Sequence, residues 1–227
     1  MGPVTNKRGS QIVYFEREGR DNLVEVIRVV KRALKKREEL RSFKLVIFTA
    51  AGEGPWHAYN QLAEYEPRII AVTFPIDFSV KRGDERVFPR ISPKLKKFFD
   101  GVGVTVVSPA PLPWDLIEGM ELHNQQMKTV KAAITLFGGG FTMCIQAVLR
   151  ACDGGHVESG ERVIAVSGDC AALITAATSR KFLGSEGLTV HEIFCKPRNF
   201  NIARPQAAPS QQPVQESFDK KLLTPSE

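Results

Sequence analysis

No apolar run in this 227-residue chain approaches the roughly 20 residues needed to cross a bilayer. The opening segment, MGPVTNKRGSQ, lacks the apolar core of a secretory signal. The expectation is a cytoplasmic protein with no membrane partner. Cysteine is scarce: Cys144, Cys152, Cys170 and Cys195 form no C-x-x-C pair, and no histidine stands at metal-ligand spacing from them. They read as small buried hydrophobes, and a structural disulfide is not expected in a cytoplasmic chain of this size. Aromatic side chains make up 8% of residues and do not interleave the basic ones, which argues against a nucleic-acid surface.

What is present is an ordinary globular composition, 43% hydrophobic and 25% charged, enough for one sizeable core. The formal net charge of +6 is gathered largely between Arg28 and Lys44. There Leu23, Val26, Ile27, Val30 and Leu34 fall at helical spacing on one face, and Arg28, Lys31, Arg32, Lys35 and Lys36 lie off it. The basic cluster is thus the solvated side of an amphipathic helix. Asn22 with Glu25 three residues on resembles a capping box at its start.

Around this helix the chain alternates between strand and helix signals. Gln11 to Phe15 is a short β-favouring run. Residues 43–49 and 69–74 are nearly continuous apolar runs, the mark of strands covered on both faces. Between them a glycine turn, Ala50 to Gly54, leads through Pro55 into a helix over about 55–65, which makes a parallel βαβ unit. Residues 75–90 form a long charged loop of the kind that serves as a lid or is a simple surface excursion. Pro93 opens another helix, before a strand at 104–107. The proline-rich Ser108 to Trp114 is a stiffened connection, with helices expected over 115–124 and 126–136. After Gly138-Gly-Gly140 a helix runs to about Cys152 and ends at Gly154-Gly155. Arg162 to Ala177 reads as a buried strand, a Ser167-Gly168-Asp169 turn and a second small-residue apolar run; residues 188–195 read as a final strand. Residues 1–10 read as a flexible lead-in, 11–203 as a single domain, and 204–227 as a disordered tail rich in Gln, Pro, Ala and Ser.

From Phe43 onward this order resembles the C-terminal α/β domain of pyruvate kinases, and resembles the free-standing archaeal and bacterial relatives of that domain more closely still. The motifs carrying the resemblance are Ile12 to Phe15 with Gly19 to Asn22, Cys144-Ile-Gln146 with Ala151-Cys-Asp-Gly-Gly155, and Glu192 to Arg198. The resemblance implies a three-layer α/β/α sandwich around a mostly parallel mixed sheet. Its strand order would be 3-2-1-4-5, strand 5 antiparallel, with residues 43–49, 69–74, 104–107, 162–167 and 188–195 as strands 1 to 5. The barrel that performs pyruvate kinase chemistry is absent, so that activity is not expected.

In such an order strands 1 and 4 become neighbours where the order reverses, and ligands favour the crevice beyond their carboxyl ends. The candidate site residues are therefore Thr49, Ala50, Ala51, Gly52, Gly54, Thr73, Ser108, Ser167 and Gly168. Glycines let backbone N–H groups approach an anion, and a helix opening at Pro55 would aim its positive end there. The family resemblance implies phosphate binding in these loops and, for the free-standing relatives, FMN as cofactor. Glu53 and Asp169 would repel a phosphate unless they turn outward or pair with a cation. Either the ligand is less anionic here or backbone amides do most of the binding. The first expectation is a binding or sensing domain for a small anionic ligand, phosphorylated or flavin-type. The alternative is a flavin-dependent enzyme using 75–90 as a lid. His57, Trp114 and the His191–Glu192 pair are weaker candidates, and no catalytic constellation stands out. Stand-alone domains of this kind often self-associate, yet nothing in the sequence fixes a homo-oligomer interface.

Overall fold

The computed structural model describes residues 11–76, 78–82, 84–108 and 125–201. The expectations for 1–10, for a helix over 115–124, for Trp114 and for the 204–227 tail lie outside the described residues. In chain order the regular elements are β1 (Val13–Arg17), α1 (Leu23–Lys36), β2 (Lys44–Phe48), α2 (Glu53–Gln61), β3 (Ile69–Val72), β4 (Val80–Arg82), β5 (Glu85–Val87), α3 (Pro93–Gly101) and β6 (Thr105–Val107). They continue with α4 (Gln125–Thr135), α5 (Gly139–Asp153), β7 (Arg162–Val166), β8 (Ala171–Thr175) and β9 (Thr189–Asn199).

Seven strands form one sheet in the order β1-β9-β8-β7-β2-β3-β6, and β4 pairs with β5 as a separate hairpin. Every neighbour pair is parallel except β7–β8 and β8–β9. The sheet is thus mostly parallel and mixed, as expected, and β8 alone runs against the rest. The order 3-2-1-4-5 with an antiparallel fifth strand is present as β6-β3-β2-β7-β8. The fifth strand, however, is Ala171–Thr175 and not 188–195. That later segment is β9, which runs parallel to β7 from one position farther out and carries β1 at the sheet edge. The reason lies in Ser167 to Cys170, where the Ser167 N–H donates to the Cys170 carbonyl at 2.8 Å and folds the chain straight back as a hairpin.

The buried strand residues divide by alternation, as a pleated sheet requires. Leu45, Ile47, Ile69 and Ala71 face a layer built by α1, α2 and α3, with Val26, Ile27, Val30, Leu34, Ala58, Leu62, Leu95 and Phe99. Val46, Ile70, Val72, Val163 and Ala165 face α5, with Cys144, Val148, Ala151 and Cys152. Each large aliphatic side chain so buried contributes about 1.5–3 kcal/mol. This is the three-layer α/β/α sandwich.

α1 keeps its expected solvated face, where Arg28 and Arg32 pair with Glu25 at 3.3 and 2.9 Å. The capping box does not form. Asn22 is already helical in backbone angles, and its amide turns back to donate to the Arg17 and Gly19 carbonyls at 2.8 and 3.0 Å. α2 opens two residues earlier than expected, at Glu53, so Pro55 sits inside its first turn. α3 has the cap its sequence advertises: Ser92 Oγ accepts from the Leu95 N–H at 3.3 Å, ahead of Pro93. The loop over 75–90 carries the β4–β5 hairpin.

Candidate functional site

The strand order reverses between β2 and β7. From β2 the chain steps through β3 to β6, crosses to the opposite helical layer, and returns as β7 on the other side of β2. The ladders end at Ile47 opposite Val166, Phe48 opposite Val72, and Val72 opposite Val107. One residue beyond Phe48, Val72 and Val107, and two beyond Val166, this register sets Thr49, Thr73, Ser108 and Gly168 across the carboxyl edge. Backbone bonds hold the line: Thr49 N–H donates to the Val72 carbonyl at 2.9 Å and Thr73 N–H to that of Val107 at 3.0 Å. The topology therefore gathers all nine sequence-expected positions along one edge.

They are not equally open. Thr49 is buried, and its Oγ1 accepts from the Gly52 N–H at 2.9 Å and donates weakly to Glu53 at 3.5 Å. This turn needs glycine at 52 because φ is +103° and a Cβ would stand 2.5 Å from Leu95 Cδ2. Gly54 is also buried, its Cα facing Ile47. Ala50, Ala51 and Glu53 stay half-exposed. Thr73 is buried, with the Val107 carbonyl 3.2 Å and the Phe74 carbonyl 3.1 Å from its hydroxyl. Ser108 is exposed.

The β7–β8 turn is closed. Ser167 is 1% exposed, and its hydroxyl donates to the Cys170 carbonyl at 3.4 Å. The Gly19–Arg20 segment lies over Gly168, so that a Cβ there would meet Arg20 Cα at 3.2 Å. Asp169 fixes this cover: its Oδ2 accepts from the Gly19 N–H at 2.8 Å. The other oxygen, Oδ1, is buried without a hydrogen-bond partner and lies against Gly140, where a Cβ would come within 1.7 Å of it. Gly140 is the second residue of α5, so the carboxylate sits at the positive end of that helix. Burial pushes the Asp169 carboxyl above the usual carboxylate range, with Glu18 adding to the effect; the Gly19 N–H and Lys196 oppose it. Gly138-Gly-Gly140, between α4 and α5, thus supplies this contact as well.

Three aromatic side chains outside the expected set cluster at the same edge, with Phe48 packed on the α5 side of the sheet. Phe48 meets Phe74 edge to face, with centroids 4.8 Å apart. Phe74 and Phe78 lie nearly parallel, 6° and 4.1 Å apart. Phe78 keeps 38% of its surface exposed, beside Ile76 at 73%. Their signal was in the sequence: Phe48 closes the second strand, and Phe74 follows the third by two residues.

The remaining candidates are engaged elsewhere. His191 Nε2 is 2.6 Å from Thr175 Oγ1, and Glu192 is paired with Arg37, so the two face different partners. His57 packs edge-on against Trp56. All four cysteines are free and buried. A hydrogen bond with Cys144, together with burial, holds the Cys170 thiol well above its usual range, and burial does the same for Cys195. Such thiols stay protonated and are poor nucleophiles. Among the described residues no group of three or more His, Cys, Asp and Glu side chains is placed to hold a metal ion, and no helix is long and apolar enough to cross a membrane. No model of a known protein family matches the chain, and no curated protein matches it.

Proposed function

We propose that this chain is a small-molecule binding or sensing domain whose ligand, of flavin or phosphorylated type, occupies the switch-point crevice on its β2 side, at the Thr49–Gly54 loop. The observation that carries the reading is the reversal of strand order at that point, with the half-exposed Ala50 and Ala51 of the loop that opens α2 beside it. The resemblance to free-standing pyruvate kinase C-terminal-like domains agrees with it and brings no kinase chemistry, since the catalytic barrel lies outside that resemblance. FMN is the cofactor the resemblance suggests.

The direct experiment is a visible spectrum of the protein as isolated, followed by thermal melts with FMN, riboflavin and sugar phosphates. A ligand at a hundred times its dissociation constant stabilises the native state by about 2.7 kcal/mol. For a domain of this size that raises Tm by several degrees. A colourless protein whose melt none of these compounds moves would remove the proposal.

A further inference from the structure

We propose that the ligand of this crevice is a planar aromatic ring system without a phosphate, seated on the tier formed by Phe48, Phe74 and Phe78. The inference rests on the reading that the carboxyl edge is a ligand site, and it narrows what that site accepts.

Two sets of observations carry it. The first is the tier itself. Phe48 is set edge-on against Phe74, Phe74 lies nearly parallel to Phe78, and Phe78 remains substantially exposed. Aromatic rings prefer offset-stacked or edge-to-face neighbours, and a planar ring added to such an array meets both apolar area and a π-face. Phe48 terminates β2 directly before the Thr49–Gly52 loop, and Phe74 follows Thr73, so the tier stands on the row of strand ends.

The second is charge. A helix N-terminus normally offers an anion about half a positive charge and unpaired N–H groups. Of the helices that begin at this edge, α2 and α5 each meet a carboxylate in the first turn, whereas α3, whose Leu95 lies against Gly52, has no acidic residue there. Glu53 is the first residue of α2, and its carboxylate is reached by the Thr49 hydroxyl at 3.5 Å. Asp169 lies against Gly140 in the first turn of α5, 95% buried, with one oxygen unpartnered. Cations near this edge have other work: Lys196 donates to the Pro197 carbonyl at 2.9 Å and stands over the Phe200 ring, and Arg90 donates to the Ile76 carbonyl at 3.0 Å. Arg20, whose backbone covers Gly168, and Lys94, exposed in the first turn of α3, are cations left for a phosphate to recruit. A phosphate monoester, carrying about −1.5 to −2 charges, would meet the Glu53 and Asp169 carboxylates at two of these helix starts.

The test compares riboflavin with FMN, and adenosine with AMP, by equilibrium titration of the full chain and of Phe78→Leu, Glu53→Gln and Arg20→Ala. Leucine keeps the apolar bulk at 78 and removes the π-face, and a thermal melt of each variant confirms that it folds. The expected result is that at least one unphosphorylated ring compound binds, about tenfold or more tightly than its phosphate ester. Phe78→Leu should weaken the unphosphorylated ring by about tenfold, the scale of one stacking contact. Glu53→Gln should narrow the difference between ring and ester, and Arg20→Ala should leave ring binding unchanged. The inference is overturned if the ester binds more tightly than the ring compound, if Phe78→Leu changes nothing, or if only non-aromatic sugar phosphates bind. In each of those cases the wider reading of the crevice as a ligand site survives. If none of the four compounds and no sugar phosphate binds, both fall together.

Discussion

The two glycine turns at the carboxyl edge look interchangeable in sequence and do opposite things in the structure. Thr49 to Gly54 leads from β2 into a helix, keeps Ala50 and Ala51 within reach of solvent, and stands beside an exposed aromatic tier. Ser167 to Cys170 folds β7 back on itself as a hairpin, and Asp169 holds the Gly19–Arg20 segment over it. The lesson is that a glycine after a buried strand marks close approach of some group, and only the third dimension says whether that group is a ligand or the protein itself.

The sharpest way to break the contrast is at Gly140. A Cβ there would stand 1.7 Å from Asp169 Oδ1, so Gly140→Ala should displace the carboxylate, release Gly19 and cost about 3 kcal/mol in denaturant unfolding. The neighbouring Gly139→Ala meets nothing within 4 Å and should change stability little, so equal effects of the two would contradict the closed-turn account. Next in size, Gly52→Ala combines the strain of φ +103° with a 2.5 Å approach to Leu95 Cδ2. It should cost about 2–3 kcal/mol and weaken whatever ligand the crevice takes, which a melt with and without that ligand would separate.

Asp169→Asn is smaller and depends on pH. Burial raises the folded-state pKa of Asp169 above its unfolded value, so the fold favours the protonated carboxyl. The stability this supplies is complete below the ordinary carboxylate value of about 3.9 and is lost as pH rises through the raised one. Asparagine can still accept from the Gly19 N–H and carries no charge. The variant should therefore equal or exceed the native protein at neutral pH, by about 1 kcal/mol at most. The native protein should gain relative to it as the solution is acidified toward pH ~4. A difference that does not vary with pH would show that Asp169 is not buried as described. The smallest effect belongs to the open side: Ala51→Ser should leave stability within about 0.5 kcal/mol, as expected for a half-exposed loop position.

Much of the fold was legible because it is written in local periodicity. The apolar runs at 43–49, 69–74 and 162–167 could only be strands covered on both faces, and α1 carries an unambiguous stripe. β8 was harder. Ala171-Ala-Leu-Ile-Thr175 is short and rich in small residues, and its identity depends on a pairing with β9 about 20 residues later that local pattern does not encode. With β8 unread, the pattern gives its place and its direction to residues 188–195, which belong to β9. The edge of the sheet that carries the candidate site was also legible, since Thr49, Thr73, Ser108 and Gly168 do fall in one register. What lay beyond sequence was the cover on the second turn. It is made by Gly19 and Arg20, some 150 residues away, and no spacing rule connects them to Asp169. The aromatic tier escaped for a related reason, since Phe48, Phe74 and Phe78 come from two strand ends and a loop.

The contrast between the two turns is tested most directly by following backbone amide resonances while riboflavin is added. The account predicts shifts at Thr49 to Gly54 and at Phe74 and Phe78, with Ser167 to Asp169 unmoved beneath Gly19 and Arg20. Shifts centred on Ser167 to Asp169, with the first loop and the aromatic tier silent, would contradict it.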